Sequence, residues 1–144
     1  MKKLFAISIA LLMFTCTFAG VNEKLLYTFN KAFPSVQNVK WSEDSNGYFV
    51  SFIQFGISSK MAYDTHGNFL YSSRYYKEEN LPVSILLAVK QKFADKNIFS
   101  VTEVSTPNNI TYHIKLEDAK SWYDVRVATS GNVSVDAHFK KSDF

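Results

Sequence analysis

Two carboxylate–imidazole pairs, Asp136/His138 and Asp64/His66, have the spacing best suited to metal or acid–base chemistry. Residues two apart on a strand share a face, so Asp136 and His138 are expected to project together. Asp64 and His66 stand just before Gly67, where an aspartate commonly fixes a hairpin through its own backbone. A zinc site needs three or four convergent ligands, and no third accompanies either pair. The expected use of Asp136 is therefore an ion pair with Lys115 or Arg126, and no metal or other cofactor is expected. The adjacent carboxylates Glu43-Asp44, Glu78-Glu79 and Glu117-Asp118 fall in turns or at strand ends, where neighbours point apart; they do not make the opposed pair that glycoside hydrolysis requires. The one cysteine, Cys16, lies in the N-terminal apolar run, and there is no Gly-x-Ser-x-Gly phrase. With no nucleophile beside a base and an orienting group, the chain reads as non-enzymatic.

Lys2 and Lys3 precede an apolar run from Leu4 to Met13, with small residues at Thr17 and Ala19, the pattern of a secretory signal peptide over residues 1–19 cleaved before Gly20. The run is shorter than the roughly 20 residues a bilayer span needs, so no stable membrane insertion is expected after cleavage. Bulky Phe14 near Cys16 disfavours lipid attachment. Export without structural cysteines fits a bacterial periplasm, or secretion, better than a disulfide-linked animal secretory domain. Loss of Lys2 and Lys3 leaves 14 basic residues against 13 acidic ones, a balance that argues against nucleic-acid binding. Residues 20–144 are enough for one domain stabilised by its core alone.

Asn22 can cap a helix carrying Leu25, Leu26, Phe29 and Phe33 on one side and stopped by Pro34. A second helix starts near Pro82 and carries Ile85, Leu86, Val89 and Phe93. Between and after them the period changes to two. Strands are predicted at Asn38–Glu43, Tyr48–Phe55, Ser58–Asp64 and Asn68–Tyr76, then at Ser100–Ser105, Ile110–Glu117, Ser121–Ala128 and Asn132–Phe139. Each set is joined by short turns.

The two sets repeat. Tyr48, Val50 and Phe52 match Tyr112, Ile114 and Leu116, and Gly67-Asn68 matches Gly131-Asn132, all at an offset of 64 residues. The fold class is thus α+β: a tandem repeat of a helix plus a four-stranded antiparallel meander, over about residues 21–76 and 81–139, with the helices on one face of the sheet. Positions apolar in both copies define the helix-facing side: Tyr48, Val50, Phe52, Met61, Tyr63, Phe69 and Tyr71, with Tyr112, Ile114, Leu116, Val125, Val127, Val133 and Val135. The other side differs. In the second unit it reads His113, Lys115, Glu117, Asp124, Arg126, Asp136 and His138; in the first it includes Phe49, Ile53, Phe55, Ala62 and Leu70, with Arg74 and Tyr76 nearby. An apolar, aromatic face of that kind marks a binding surface. The predicted contacts are Phe49, Ile53, Phe55, Leu70, Arg74 and Tyr76, with Trp41 at the rim, and the predicted partner is a protein. Cover by the Tyr76–Leu81 connector, or by a second copy of the chain as a homodimer, would account for the same apolar residues.

The phrases Phe33-Pro34-Ser35-Val36-Gln37-Asn38-Val39-Lys40-Trp41 and Tyr63-Asp64-Thr65-His66-Gly67-Asn68, with the leader and the repeat, resemble the PepSY-like, β-lactamase-inhibitor-like family of Bacteroidetes periplasmic proteins. The resemblance implies two helices against a curved antiparallel sheet, as in secreted inhibitors that grip an enzyme with the concave sheet face. The second unit departs from the pattern, with Val101-Thr102-Glu103 in place of Val-Lys-Trp and Ala128-Thr129-Ser130-Gly131 lacking the hairpin aspartate. The rival expectation is a carrier of a small molecule or lipid, with its pocket between sheet and helices.

Overall fold

The computed structural model describes residues 21–142; the segment expected to be a signal peptide, its expected cleavage point and Cys16 lie outside them. Helix α1 (Glu23–Ala32) starts where the Asn22 side chain accepts a hydrogen bond from the Lys24 N–H at 2.9 Å. That bond satisfies one of the donors a helix start leaves free. The helix ends as the Phe33 N–H closes on the Phe29 carbonyl and Pro34 follows. Helix α2 (Val83–Lys92) follows Pro82, whose φ of −53° is already close to helical, and it closes the same way with the Phe93 N–H on the Val89 carbonyl. Leu25 and Phe29 of α1, and Ile85 and Val89 of α2, are the buried positions of each helix.

Each helix is followed by four strands, and the eight form one antiparallel sheet in chain order. β1 is Gln37–Asp44, β2 Gly47–Gln54, β3 Ile57–Asp64 and β4 Phe69–Tyr76; β5 is Asn97–Ser105, β6 Ile110–Glu117, β7 Ser121–Ala128 and β8 Val133–Lys140. Pairing of β4 with β5, from Ser72 opposite Ser105 to Tyr76 opposite Val101, joins the two meanders.

The helix side of the sheet carries two apolar clusters. Under α1, Phe29 meets Phe33, Trp41 and Phe52 with ring centroids 5.1, 5.2 and 5.3 Å apart, and Leu25, Val50 and Tyr63 complete the buried set. Under α2 the buried set runs through Ile85, Val89, Val101, Ile114, Leu116, Val125 and Val127. Ile57 and Tyr76, from strands of the first unit, belong to the second cluster. The packing boundary therefore does not coincide with the sequence repeat. These rings and aliphatic chains fill most of the space between helices and sheet. A depression of about 360 Å³ runs along α1, between Leu25, Thr28, Phe29 and Phe33 on one side and Tyr63, His66 and Phe69 on the other; it is the place where a carrier would hold a ligand.

Two hairpin glycines differ in what they permit. At Gly47, φ is +148° and an added Cβ would lie 2.0 Å from the Tyr63 carbonyl oxygen; at Gly56, φ is +77° and nothing lies within 4 Å. Gly47→Ala must push β2 from β3 and is expected to cost more than 2 kcal/mol, whereas Gly56→Ala meets only backbone strain of about 1 kcal/mol. Urea denaturation of the two variants side by side checks this, and equal losses would show that the β2–β3 approach is not as close as described.

Candidate protein-binding face

Directly paired residues share a face, so strand register places each side chain. Phe49 pairs with Ala62, and Ala62 with Tyr71; Lys40 pairs with Ser51, Ser51 with Lys60, and Lys60 with Ser73; Ile53 pairs with Ser58, and Ser58 with Tyr75. These rows make the outer face of the first unit, opposite the helices. Ala62 is almost wholly buried although it lies on this face, flanked on both neighbouring strands by rings. Phe49 and Ile53 are half-buried, while Leu70, Tyr71 and Tyr75 keep 43%, 42% and 49% of their surface exposed. The Glu78–Asn80 turn of the connector packs against β5, and Leu81 enters the α2 cluster. Lys77, Glu79 and Asn80 border a depression with Phe55, Ser58 and Tyr75, so the connector flanks one end of the outer face while Phe55, Tyr71 and Tyr75 stay exposed.

Three of the seven predicted contacts stand elsewhere. Ala62 pairs with Tyr71 but Tyr63 pairs with Phe69, so Leu70 is the extra residue of a β-bulge, and strand parity reverses there. Tyr71, Ser73 and Tyr75 consequently face outward and Ser72, Arg74 and Tyr76 face the helices, the reverse of the expected alternation. Tyr76 is buried in the α2 cluster, and its hydroxyl donates to Glu103 Oε2 at 2.6 Å. Burial and the adjoining Glu103 carboxylate push the Tyr76 phenol well above its ordinary range. Arg74 donates to Glu103 Oε1 at 3.2 Å, so its charge is matched on the helix side. Trp41 pairs with Val50 and lies edge-on to Phe29, within the α1 cluster rather than on the rim of the outer face. Phe49 and Ile53 remain on the outer face, with Leu70 at the bulge near Phe49 and Phe55 in the turn at the other end of β2. Tyr71, Tyr75, Lys40 and Lys60 are the members that sequence reasoning missed. For the two tyrosines the one signal was the unbroken run Phe69-Leu70-Tyr71, which interrupts alternation; the lysines' place beside serines is set by strand register.

The second unit has its own bulge, two places further along. Val125 pairs with Val135 and Asp124 with Ala137, leaving Asp136 as the extra residue. Tyr71 and Val135 therefore face opposite ways despite their constant offset. The expected common face of Asp136 and His138 is also undone: Asp136 pairs with Arg126 at 2.7 Å on the outer side, while His138 stacks on Tyr123 on the helix side with ring centroids 4.4 Å apart. Among the described residues no three His, Cys, Asp or Glu side chains converge as metal ligands would.

Phe55 is the most exposed large apolar residue of the face, at 89%. It sits with Gly56 in the two-residue turn between β2 and β3, where both φ angles are positive, 50° and 77°. Such turns select Asn, Asp or Gly at the first position, because a bulky side chain there costs about 1 kcal/mol or more. Phe55 makes up none of that cost by packing. The corresponding turn of the second unit, between β6 and β7, is built for stability instead. Asp118 accepts from the Lys120 and Ser121 N–H groups, each at 2.8 Å, and from Lys96 Nζ at 3.0 Å. The Lys120 N–H, with Lys96 and Ser121, holds its carboxyl down at about 2. A carboxylate depressed below its unfolded value near 3.9 stabilises the fold above that pH and loses its effect as pH falls through about 2. Asp118→Asn is accordingly expected to flatten the decline of melting temperature between about pH 4 and 2; an unchanged acid profile would contradict the assignment.

An eight-stranded antiparallel sheet carrying two helices, each leading into four strands, is a BLIP-like fold. Solved structures from Bacteroides share it. A BLIP-like protein of Bacteroides fragilis is 17% identical with a TM-score of 0.65, covering 85% of this chain and 89% of that one. A DUF2874 family protein of Bacteroides uniformis is 16% identical, TM-score 0.63, over 83% and 89% of the two chains. A candidate periplasmic protein of Bacteroides eggerthii is 16% identical, TM-score 0.62, over 83% and 88%. At these identities the likeness is one of fold. No protein-family model and no curated protein matches the chain.

Proposed function

We propose that this protein is a periplasmic or secreted, non-enzymatic binding module that grips a protein partner of the cell envelope through the outer face of its first unit, inhibition of an envelope or secreted enzyme being the activity such a grip would serve. The observation that carries the reading is Phe55, an aromatic side chain held in an unfavourable backbone conformation and offered to solvent. Backbone strain kept without internal compensation is a mark of functional positions. Phe49, Ile53, Tyr71 and Tyr75 extend the apolar surface behind it, and exposed aromatics of this kind supply most of the energy at protein interfaces. The fold shared with a BLIP-like protein and with a candidate periplasmic protein agrees with this reading.

The test is affinity capture from an envelope extract with the immobilised protein and its Phe55→Asn variant in parallel. A protein retained by the parent and lost by the variant supports the reading; retention indifferent to Phe55, by a folded variant, overturns it.

A further inference from the structure

The outer face of the first unit also carries two cations without ion-pair partners among the described residues. A trough of about 440 Å³ runs across β1–β4, with Phe49 and Tyr71 along one side and Lys40 and Lys60 along the other. The two lysines stand on β1 and β3, each directly opposite Ser51 on the strand between them. Two strand spacings put their backbones about 9.5 Å apart. Both are exposed, and among the described residues neither is in an ion pair.

The second unit shows what this sheet does with outer-face cations that have no ligand to meet. There Lys115 is paired with Asp124 at 2.6 Å and Arg126 with Asp136 at 2.7 Å, each from the neighbouring strand. In the first unit the positions beside Lys40 and Lys60 are Ser51 and Ser73, short side chains that leave the ammonium groups uncompensated. The nearest hairpin carboxylates are engaged in their own turns, Asp44 with the Asn46 N–H at 2.7 Å and Asp64 with the His66 and Asn68 N–H groups at 2.8 Å.

Building on the protein-binding reading, we infer that the trough receives an extended acidic segment of the partner protein, its carboxylates lying between Lys40 and Lys60 and a neighbouring apolar side chain resting on Phe49 and Tyr71. Charge complementarity of this kind adds to the rate and specificity of association as well as to affinity, and it is screened by salt.

The probe is a synthetic peptide, acetyl-Ser-Glu-Leu-Glu-Ser-amide, titrated into isotope-labelled protein at low salt and followed by amide chemical shifts, with its Gln-for-Glu counterpart and sodium acetate as separate arms. Saturable shifts at Lys40, Ser51, Lys60 and Ser73 are expected, weakened at least tenfold by Lys40→Gln/Lys60→Gln and absent with the Gln peptide. Equal binding of the two peptides, an unaltered titration in the double variant, or no shifts at all would overturn the inference. Acetate reproducing the peptide's effect at the same concentration would reduce the site to one for free anions and also overturn it. Both lysines are exposed, so the double substitution leaves the core intact. Partner capture separates the two levels. Capture lost with Phe55→Asn but kept by the lysine variant leaves the binding face standing and removes its acidic ligand; capture indifferent to both removes the face itself.

Discussion

Phe29→Ala is expected to lower the free energy of unfolding by about 3–5 kcal/mol, the largest stability effect of any single truncation in the first unit. Phe29 is 2% exposed and is the ring around which Phe33, Trp41 and Phe52 are arranged. Removing it takes away the transfer energy of a whole aromatic side chain. It also opens a cavity that three large rings, fixed on a helix end and two strands, cannot collapse to fill. Since a domain of this size is stabilised by only about 5–15 kcal/mol, the variant should stand near the threshold of folding. Tyr27, on the same helix but 68% exposed, provides the control: Tyr27→Ala should stay within about 0.5 kcal/mol of the parent. Equilibrium urea denaturation reads both, and a loss below about 1.5 kcal/mol for Phe29→Ala would mean that α1 is not held by this cluster.

Phe55→Asn is expected to move stability and binding in opposite directions. Asparagine tolerates the left-handed backbone of this turn far better than phenylalanine does, and the 89% exposed ring gives up almost no buried surface when it is removed. The unfolding free energy should therefore rise by about 0.5–1 kcal/mol, or a few degrees in melting temperature. Affinity for the partner should fall about 30-fold or more, the cost of deleting an aromatic anchor worth about 2 kcal/mol. A merely structural phenylalanine would lose stability and leave binding alone, so the paired readout discriminates between the two roles.

Most of the architecture was legible because the chain states it twice. The apolar spacing of Leu25, Phe29 and Phe33, and of Ile85, Val89 and Phe93, located both helices, and the 64-residue offset aligned the core strands. What escaped was parity. A bulge adds one residue without any obligatory composition, so alternation could be followed correctly through Met61 and Tyr63 and then fail at Leu70, reversing Tyr71 to Tyr76. The repeat concealed the error, because the second bulge falls at Asp136 and not at the position matching Leu70. Trp41 was misplaced for a different reason. β1 is an edge strand on which almost every residue is solvent-exposed, so its sequence has no clear apolar face to read. The unpaired state of Lys40 and Lys60 depends on which residues neighbouring strands place beside them, which is a property of register alone.

Side-chain footprinting by hydroxyl radicals, on the protein free and in complex with the captured partner, tests the central claim most directly because it reads individual side chains and so separates the two halves of the sheet. Protection of Phe55, Tyr71 and Tyr75 is predicted, with Phe99 and Phe139 of the second unit oxidised equally in both states. Protection of Phe99 and Phe139 with the first-unit residues unchanged would contradict the account and move the binding surface to the other half of the sheet.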